Sequence, residues 1–519
     1  MPDDAYITYR YAENLAAGKG LVFNAAAPPV EGYSNLSWIV LLAGLSKLGF
    51  DIPVWAANLG ALLSVVNLGL VYALSLLVVK HRGRALLAPA LVSLTAPYAM
   101  WARGGLETMW YTTLLLLAVW LTALGFAGKL WAYAGAAATL FVLALTRHDG
   151  AIPLAVSGLF VLAALWGLRQ KRRTGQMSVS RASWIAPLAS FGALTLVYLA
   201  YTWWRGQYFG QLVPAPFFSR LGGTITDPSQ ILLTWGSYFT RGSHYSAYGD
   251  LLVPAFALAA ADLIWFRRSG LCDWYILTCA GALSLLYFVS ESYNPGIRYM
   301  VPVLPLLYLY AQGPVIALLR KVTGKRGVQH EEVTARSSWR WASLPVWAGA
   351  AGVCAAIALF MLVMAPRTRH DGKRAEKGKN QALIPLGMWL HDYAPPGASV
   401  ALQDIGVVAY YSGLRVIDDN PGALTNGDVI YKHGAEGFAD IALGPRPEFL
   451  VFTSVSDRKP TFDLVFEPLK KDPRFTGGYR LYNKVKYWED RGYWVYVRKD
   501  VRLPSEAENA FPRTEWKEP

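Results

Sequence analysis

The sequence predicts an all-α polytopic membrane protein, a bundle of about ten transmembrane helices, followed by a C-terminal α/β domain. Three observations lead there. Of 519 residues, 54% are hydrophobic and only 16% charged, with mean hydropathy +0.27, whereas soluble domains carry about 25% charged residues. Apolar stretches long enough to cross roughly 30 Å of hydrocarbon recur along the first two thirds of the chain. The connections between them alternate between rich and poor in Lys and Arg. A soluble enzyme and a disordered chain are both excluded. The net charge of +14 would suggest nucleic acid in a soluble protein; in a membrane protein its placement matters more than its total, and no nucleic acid is expected. Three cysteines (Cys272, Cys279 and Cys354) cannot build a disulfide scaffold or a four-thiolate zinc site.

In chain order, the expected spans are about 53–79, 84–102, 108–127, 131–147, 150–168, 184–204, 247–266, 273–290, 299–319 and 342–364. The shorter apolar run from Ser37 to Phe50 carries Lys47 and reads as a helix lying against the interface. One set of connections (80–84, Lys129, 169–181, 267–268 and 320–340) holds 17 Lys and Arg, the other (103–107, 147–149, 205–246 and 291–298) only 6. The first set is therefore expected to be cytoplasmic. An even number of spans then places both termini on the outer side, with residues 1–52 as a first outer loop, 53–365 as the transmembrane domain and 366–519 as an extracytoplasmic domain. A chain that starts outside without a span ahead of it leads to the expectation of one further N-terminal helix in the natural protein.

The tail begins where composition shifts, at Arg367–Lys379 with its six Lys and Arg. An amphipathic helix over 380–393 is closed by Pro395-Pro396-Gly397. Short β-rich runs follow at Ser399–Leu402, Arg415–Ile417, Phe449–Thr453, Tyr479–Tyr482 and Tyr493–Arg498. Helical stretches between some of them predict a small α/β or α+β domain.

Conspicuous polar groups gather at the outer ends of the spans, and charge at a bilayer edge points to function by default. The first group is Asp3-Asp4 at the start of a surface helix. One Asp there is explained as a helix cap; a pair is not, because only one can cap. Glu31-Gly32-Tyr33-Ser34-Asn35 precedes the interfacial run, and Arg103 to Glu107 and Arg147-His148-Asp149-Gly150 form tight outer turns. A loop from Trp203 to about Tyr245 is rich in aromatics and includes Arg220. The last group runs from Glu291 to Arg298. A single Arg or Glu in such a place often only snorkels to the headgroups. Six groups on one side describe one outward-facing cavity.

The planar fork of arginine binds phosphate with two bonds, so Arg103, Arg147, Arg220 and Arg298 are phosphate candidates. Tyr and Trp faces suit sugar rings, and a carboxylate pair can take a proton from an incoming hydroxyl. His148 and Asp149 together with a Glu leave a divalent cation open, although no spacing here is specific to a metal. The chemistry described is sugar transfer from a lipid-linked sugar phosphate to a hydroxyl.

These residues carry a family resemblance. The segment from Asp3-Asp4-Ala5-Tyr6 through Gly18-Lys19-Gly20 to Asn24, continued by Val30-Glu31-Gly32-Tyr33-Ser34-Asn35, resembles the first outer loop of GT-C glycosyltransferases that use polyprenyl-phosphate sugars, in particular bacterial members similar to the mycobacterial terminal arabinofuranosyltransferase of the cell wall. Gly105-Leu106-Glu107, Arg147 to Gly150, Arg298-Tyr299 to Pro305 and Gln403-Asp404-Ile405-Gly406 to Gly413 also resemble that group. The resemblance implies an inverting transfer at the outer face of a bacterial plasma membrane, from a polyprenyl-phosphate sugar to a glycan acceptor. It implies Asp3 as general base with Asp4 as helper or alternate, and Glu31 orienting the acceptor or helping to hold a cation. Tyr33, Arg103, Glu107, Arg147, His148, Asp149, Arg220 and Arg298 are the expected substrate contacts. The family's pattern begins with a membrane helix before the Asp pair, which this sequence lacks, and Glu291-Ser292-Tyr293-Asn294 stands where related chains often have an Asp-containing turn. A transporter or flippase of a lipid-linked saccharide is the competing reading; transporters place ionisable groups near the midplane and show paired repeats, and neither is visible here. A third reading is an envelope scaffold whose tail binds glycan without catalysis.

Overall fold

The computed structural model describes residues 2–25, 27–176, 180–210, 259, 270–289, 298–312, 373, 376–418, 424, 437, 439–454, 469–488 and 491–512. The expected spans at 247–266 and 342–364, the later part of 299–319, and Arg220 and Glu291–Asn294 fall wholly or almost wholly outside them.

A surface helix, α1 (Asp4–Ala16), opens the chain, and α2 (Leu36–Lys47) follows as the short apolar helix expected there. Next come α3 (Ile52–Val79), α4 (Arg82–Ala85), α5 (Leu87–Ser93), α6 (Ala96–Ala102), α7 (Thr108–Phe126), α8 (Trp131–Thr146), α9 (Ala151–Arg173), α10 (Ala182–Phe209) and α11 (Leu271–Val289). Among the described residues, four helices are long and apolar enough to cross a membrane, or five if the bent pair is one span. That pair lies where the span at 84–102 is expected and is broken within it. Its halves, Arg82–Ser93 and Ala96–Ala102, meet at 70°. Pro97 sits in the first turn of α6, where its missing N–H costs nothing and its ring stops a continuous helix. The N-cap of α3 is the Asp51 side chain, which accepts from the Val54 N–H at 3.0 Å.

Burial separates the lipid-facing helices from the core. On α10, Leu196 is 70% exposed and Trp203 68%. In water such a surface is a liability; against acyl chains it is what a span requires. In contrast α7 buries Met109, Tyr111, Leu115, Leu116, Ala118 and Val119 completely.

The tail is a five-stranded mixed sheet in the order β2-β1-β3-β5-β4, from β1 (Ser399–Leu402), β2 (Arg415–Asp418), β3 (Phe449–Ser454), β4 (Tyr479–Trp488) and β5 (Arg491–Arg498). β1 lies parallel to β2 and β3, and the remaining pairs are antiparallel. β3 is buried on both faces. By the two-residue alternation of a strand, Phe449 and Val451 face one core while Leu450 and Phe452 face the other. The amphipathic helix α12 (Ile384–Tyr393) packs through Trp389, whose indole N–H donates to the Ala507 carbonyl at 2.8 Å. Helix α13 (Val407–Ser412) connects β1 to β2 and lies against α1. The first core continues from Tyr6 and Tyr9 of α1 into Val407 and Val408 of α13, so bundle and tail share one apolar interior.

Candidate active site

The site is built on α1. Seven residues of α1 are buried, because the helix is wedged between the bundle on one side and the tail on the other. Gly105, at φ 75°, turns its carbonyl toward α1 and α2 and accepts from the Tyr9 hydroxyl (3.0 Å) and the Trp38 indole (3.3 Å). That conformation is open to glycine without strain, so the Arg103–Glu107 turn is pinned to the surface helix.

Two carboxylates that are adjacent in sequence part company here. Asp3 occupies the cap position of α1, yet its side chain makes no bond to that helix. Its oxygens accept instead from the backbone of the tail: Oδ2 from Gly406 N–H at 2.8 Å and Oδ1 from Val407 N–H at 2.7 Å. Burial, with smaller contributions from the Asp404 and Asp4 carboxylates, pushes the Asp3 carboxyl up to about 8, against the downward pull of the two backbone bonds. The Asp4 side chain is 62% exposed and lies 3.9 Å from an Arg298 nitrogen. Of the pair, Asp4 is the one open to solvent.

Beneath Asp4 lies a buried ionic network. Arg298 donates to Glu107 at 2.6 Å, and Glu107 also accepts from Asn35 at 2.9 Å, which in turn donates to Thr8 of α1 at 3.0 Å. Burial alone would raise the Glu107 carboxyl, but Arg298, then Arg147 and Asn35, outweigh it and hold it at about 2. Arg147 pairs with Asp149 at 2.8 Å, and Asp149 also accepts the Tyr287 hydroxyl. The Arg147 guanidinium lies 4.7 Å from the Tyr111 ring centroid and 4.6 Å from that of Tyr299, and Arg298 lies 5.5 Å from the same Tyr299 ring. Nη1 of Arg147 and Nε of Arg298 are buried without a hydrogen-bond partner.

A second cluster lies at the end of α10. Both oxygens of Glu31 accept from Nε of Arg205, at 2.9 and 2.7 Å, and an Arg205 terminal nitrogen lies 3.4 Å from Nε2 of His148. Burial pushes the Glu31 carboxyl up to about 7 although Arg205 pulls it down. Tyr33 packs its ring against Tyr11 (4.9 Å) and Phe209 (6.2 Å). Arg103 is exposed and outside both clusters. Among the described residues no group of three or more His, Cys, Asp and Glu is arranged to hold a metal ion.

Of the residues singled out in the sequence, Glu107, Arg147, Asp149, Arg298 and Asp4 come to one place, and Glu31, Tyr33 and His148 to the neighbouring cluster. Arg205 was missed, because Trp203 reads as the start of a loop; α10 continues to Phe209 and carries Arg205 inward in its last turns. An arginine flanked by Trp204 and Gly206 at the end of an apolar run was the available signal. Replacing it with lysine keeps the charge and loses the delocalised fork. Arg205→Lys is expected to cost about 1.5–3 kcal/mol of stability, the worth of a hydrogen bond to a charged group, read as a lower thermal midpoint in detergent.

A membrane bundle, a first surface loop with an acidic pair, and a mixed α/β tail that meets that loop make up a fold found in solved structures. The chain has the fold of ArnT from Cupriavidus metallidurans bound to undecaprenyl phosphate, at 13% identity and TM-score 0.53 over 95% of this chain and 93% of that one. It is similar in fold to the Archaeoglobus fulgidus oligosaccharyltransferase AglB in complex with an inhibitory peptide and a dolichol-phosphate, at 13% identity and TM-score 0.53, covering 86% of this chain and 65% of the length of that one. An Archaeoglobus fulgidus oligosaccharyltransferase tethered with an acceptor peptide is matched over 98% of this chain and 72% of that one, at 13% identity and TM-score 0.53. Residues 373–498 match a family described as a domain of unknown function, DUF8728. No curated protein matches.

Proposed function

We propose that this protein is a membrane glycosyltransferase that moves a sugar from a polyprenyl-phosphate donor to a hydroxyl of a cell-envelope glycan, with inversion. The observation that carries the reading is the exposed Asp4 carboxylate 3.9 Å from Arg298, directly above the buried Arg298–Glu107 pair. An exposed carboxylate at the membrane edge can take the acceptor's hydroxyl proton. As it does, the acceptor oxygen forms a bond to the anomeric carbon and the bond from that carbon to the phosphate oxygen breaks. Charge then grows on the departing polyprenyl phosphate. The guanidinium charges of Arg147 and Arg298, each with one nitrogen left without a hydrogen-bond partner in the buried network, would stabilise it electrostatically. Asp4 is therefore our candidate base, and Asp3, with both oxygens occupied by the tail, is not.

Glu31 and Tyr33, beside Arg205 and His148, would line the acceptor side. The fold shared with proteins solved with undecaprenyl phosphate and dolichol-phosphate supports the donor class. The resemblance of the Asp3–Asn35 segment supports arabinofuranose as the sugar and the outer face of a bacterial plasma membrane as the location. The test is to incubate the purified protein with radiolabelled polyprenyl-phosphate sugars and an extract of its own envelope, and to follow polyprenyl phosphate released and label gained by glycan. Transfer from one donor establishes the class and the sugar together; none from any donor sinks the reading. In the same assay Arg298→Lys is expected to lower kcat by about tenfold or more, since losing one charge-assisted bond of about 1.5–3 kcal/mol is worth that factor. Unchanged kinetics would reduce Arg298 to a headgroup anchor.

A further inference from the structure

The contact between α1 and the tail is more elaborate than packing requires. Residues 3, 6, 10 and 13 recur at helical spacing and so share one face, and all four meet α13 or its flanks. Asp3 accepts the N–H groups of Gly406 and Val407 at the start of α13. At its other end, Arg10 donates to the carbonyls of Ala409 and Leu414, the latter at 2.6 Å. The N–H groups of Gly406 and Val407 are ones that a helix leaves without internal partners; the Ala409 carbonyl also accepts the Gly413 N–H at 3.2 Å, and Leu414 lies beyond the helix end. Between them Tyr6 packs edge-on against Tyr410 at 5.4 Å and lies 5.9 Å from Tyr411, and Glu13 accepts the Tyr410 hydroxyl. Gly406 is required for the approach: a Cβ there would overlap the Asp3 carbonyl and carboxylate.

The other side of α1 faces the bundle. Thr8 reaches Asn35 and through it Glu107, Tyr11 donates to the Val30 carbonyl at 2.7 Å, and Asp4 stands over Arg298. At 3.6 residues per turn, Asp3 and Asp4 point about 100° apart. Any rotation of α1 that frees Asp3 must swing Asp4 away from Arg298. We propose that the tail domain sets the aim of Asp4 by gripping α1 through Asp3 and Arg10, so that Asp3 is a positioning residue and the tail is part of the catalytic apparatus.

This rests on the glycosyltransferase reading, and the experiment separates the two. Full-length wild type, Asp3→Asn, Asp3→Ala and Gly406→Ala are compared in nanodiscs by hydrogen exchange over 404–412 and by kcat, KM and the pH profile of transfer. The expected result is faster exchange at Gly406 and Val407 in Asp3→Ala and Gly406→Ala, and a fall in kcat of about 10–100-fold with KM little changed. Asp3→Asn keeps one acceptor oxygen and should fall less. The acidic limb of the pH profile should survive in all three, because Asp4 is intact. Loss of that limb in Asp3→Asn would make Asp3 the base and overturn the proposal, and so would wild-type kcat in Asp3→Ala. Unchanged exchange in Asp3→Ala would remove the grip itself. A wild-type protein that transfers nothing would defeat the glycosyltransferase reading, while the exchange result would still decide whether Asp3 holds the tail.

Discussion

Asp4→Asn is expected to lower kcat for sugar transfer by about 10²–10⁴-fold, the contribution of a positioned general base, with little change in stability. The second half of that expectation follows from exposure. The Asp4 side chain is 62% exposed and lies 3.9 Å from an Arg298 nitrogen, and a long ion pair with a solvent-exposed carboxylate contributes about 0–1 kcal/mol. The substitution keeps size and shape and removes the negative charge, and with it the capacity to take a proton. Donor binding should persist, since Arg298 keeps its bond to Glu107. The kinetic signature is thus a loss of kcat together with the acidic limb of the pH profile, and an unchanged equilibrium affinity for the polyprenyl-phosphate sugar. A variant that retains the acidic limb with reduced affinity would instead make Asp4 a binding group, and the base would have to be sought elsewhere.

Much of the fold was legible in the sequence. The apolar runs placed α3, α7, α9 and α10 to within a few residues, because hydropathy over 20 residues is a strong signal. In the tail the strands at Ser399 and Phe449 stood out for their apolar runs, while β4 ran on to Trp488, past the point where its pattern weakens through Asn483 and Lys484. The polar clusters of the candidate site meet because the turns at one end of a bundle have few places to go. What could not be read was which carboxylate of Asp3-Asp4 the tail covers and which stays open to solvent. It depends on a contact between residues more than 400 positions apart, and nothing local distinguishes the two. Arg10 and Arg205 were missed for related reasons. Arg10 reads as an ordinary charge on a surface helix until α13 covers it, and Arg205 reads as loop until α10 continues past it.

The largest stability effect is expected at Glu107. The carboxylate is buried, bonded to Arg298 and Asn35, and removing one partner of a buried ion pair costs about 3–5 kcal/mol because the other charge is left uncompensated. Glu107→Gln should therefore lower the thermal midpoint substantially at neutral pH. The pH dependence distinguishes charge from packing. The folded-state carboxyl is held at about 2, below its ordinary value of 4.5. A lowered carboxyl pKa stabilises the fold above the unfolded value, and that stability is lost as pH falls through the folded one. At about 1.4 kcal/mol per pKa unit, the lowering corresponds to about 3 kcal/mol, in line with the cost of breaking the pair. The difference between wild type and Glu107→Gln should thus be full above pH 4.5 and shrink as pH falls toward 2, where the wild-type carboxyl itself becomes neutral. A difference that stays constant over that window would show that the substituted amide fails through shape, and that the Arg298 charge is compensated by some other group. If it shrinks, Glu107 is the counter-charge that allows Arg298 to stay buried beneath Asp4 and ready for a phosphate, and loss of transfer in the same variant would follow from loss of that arginine's aim.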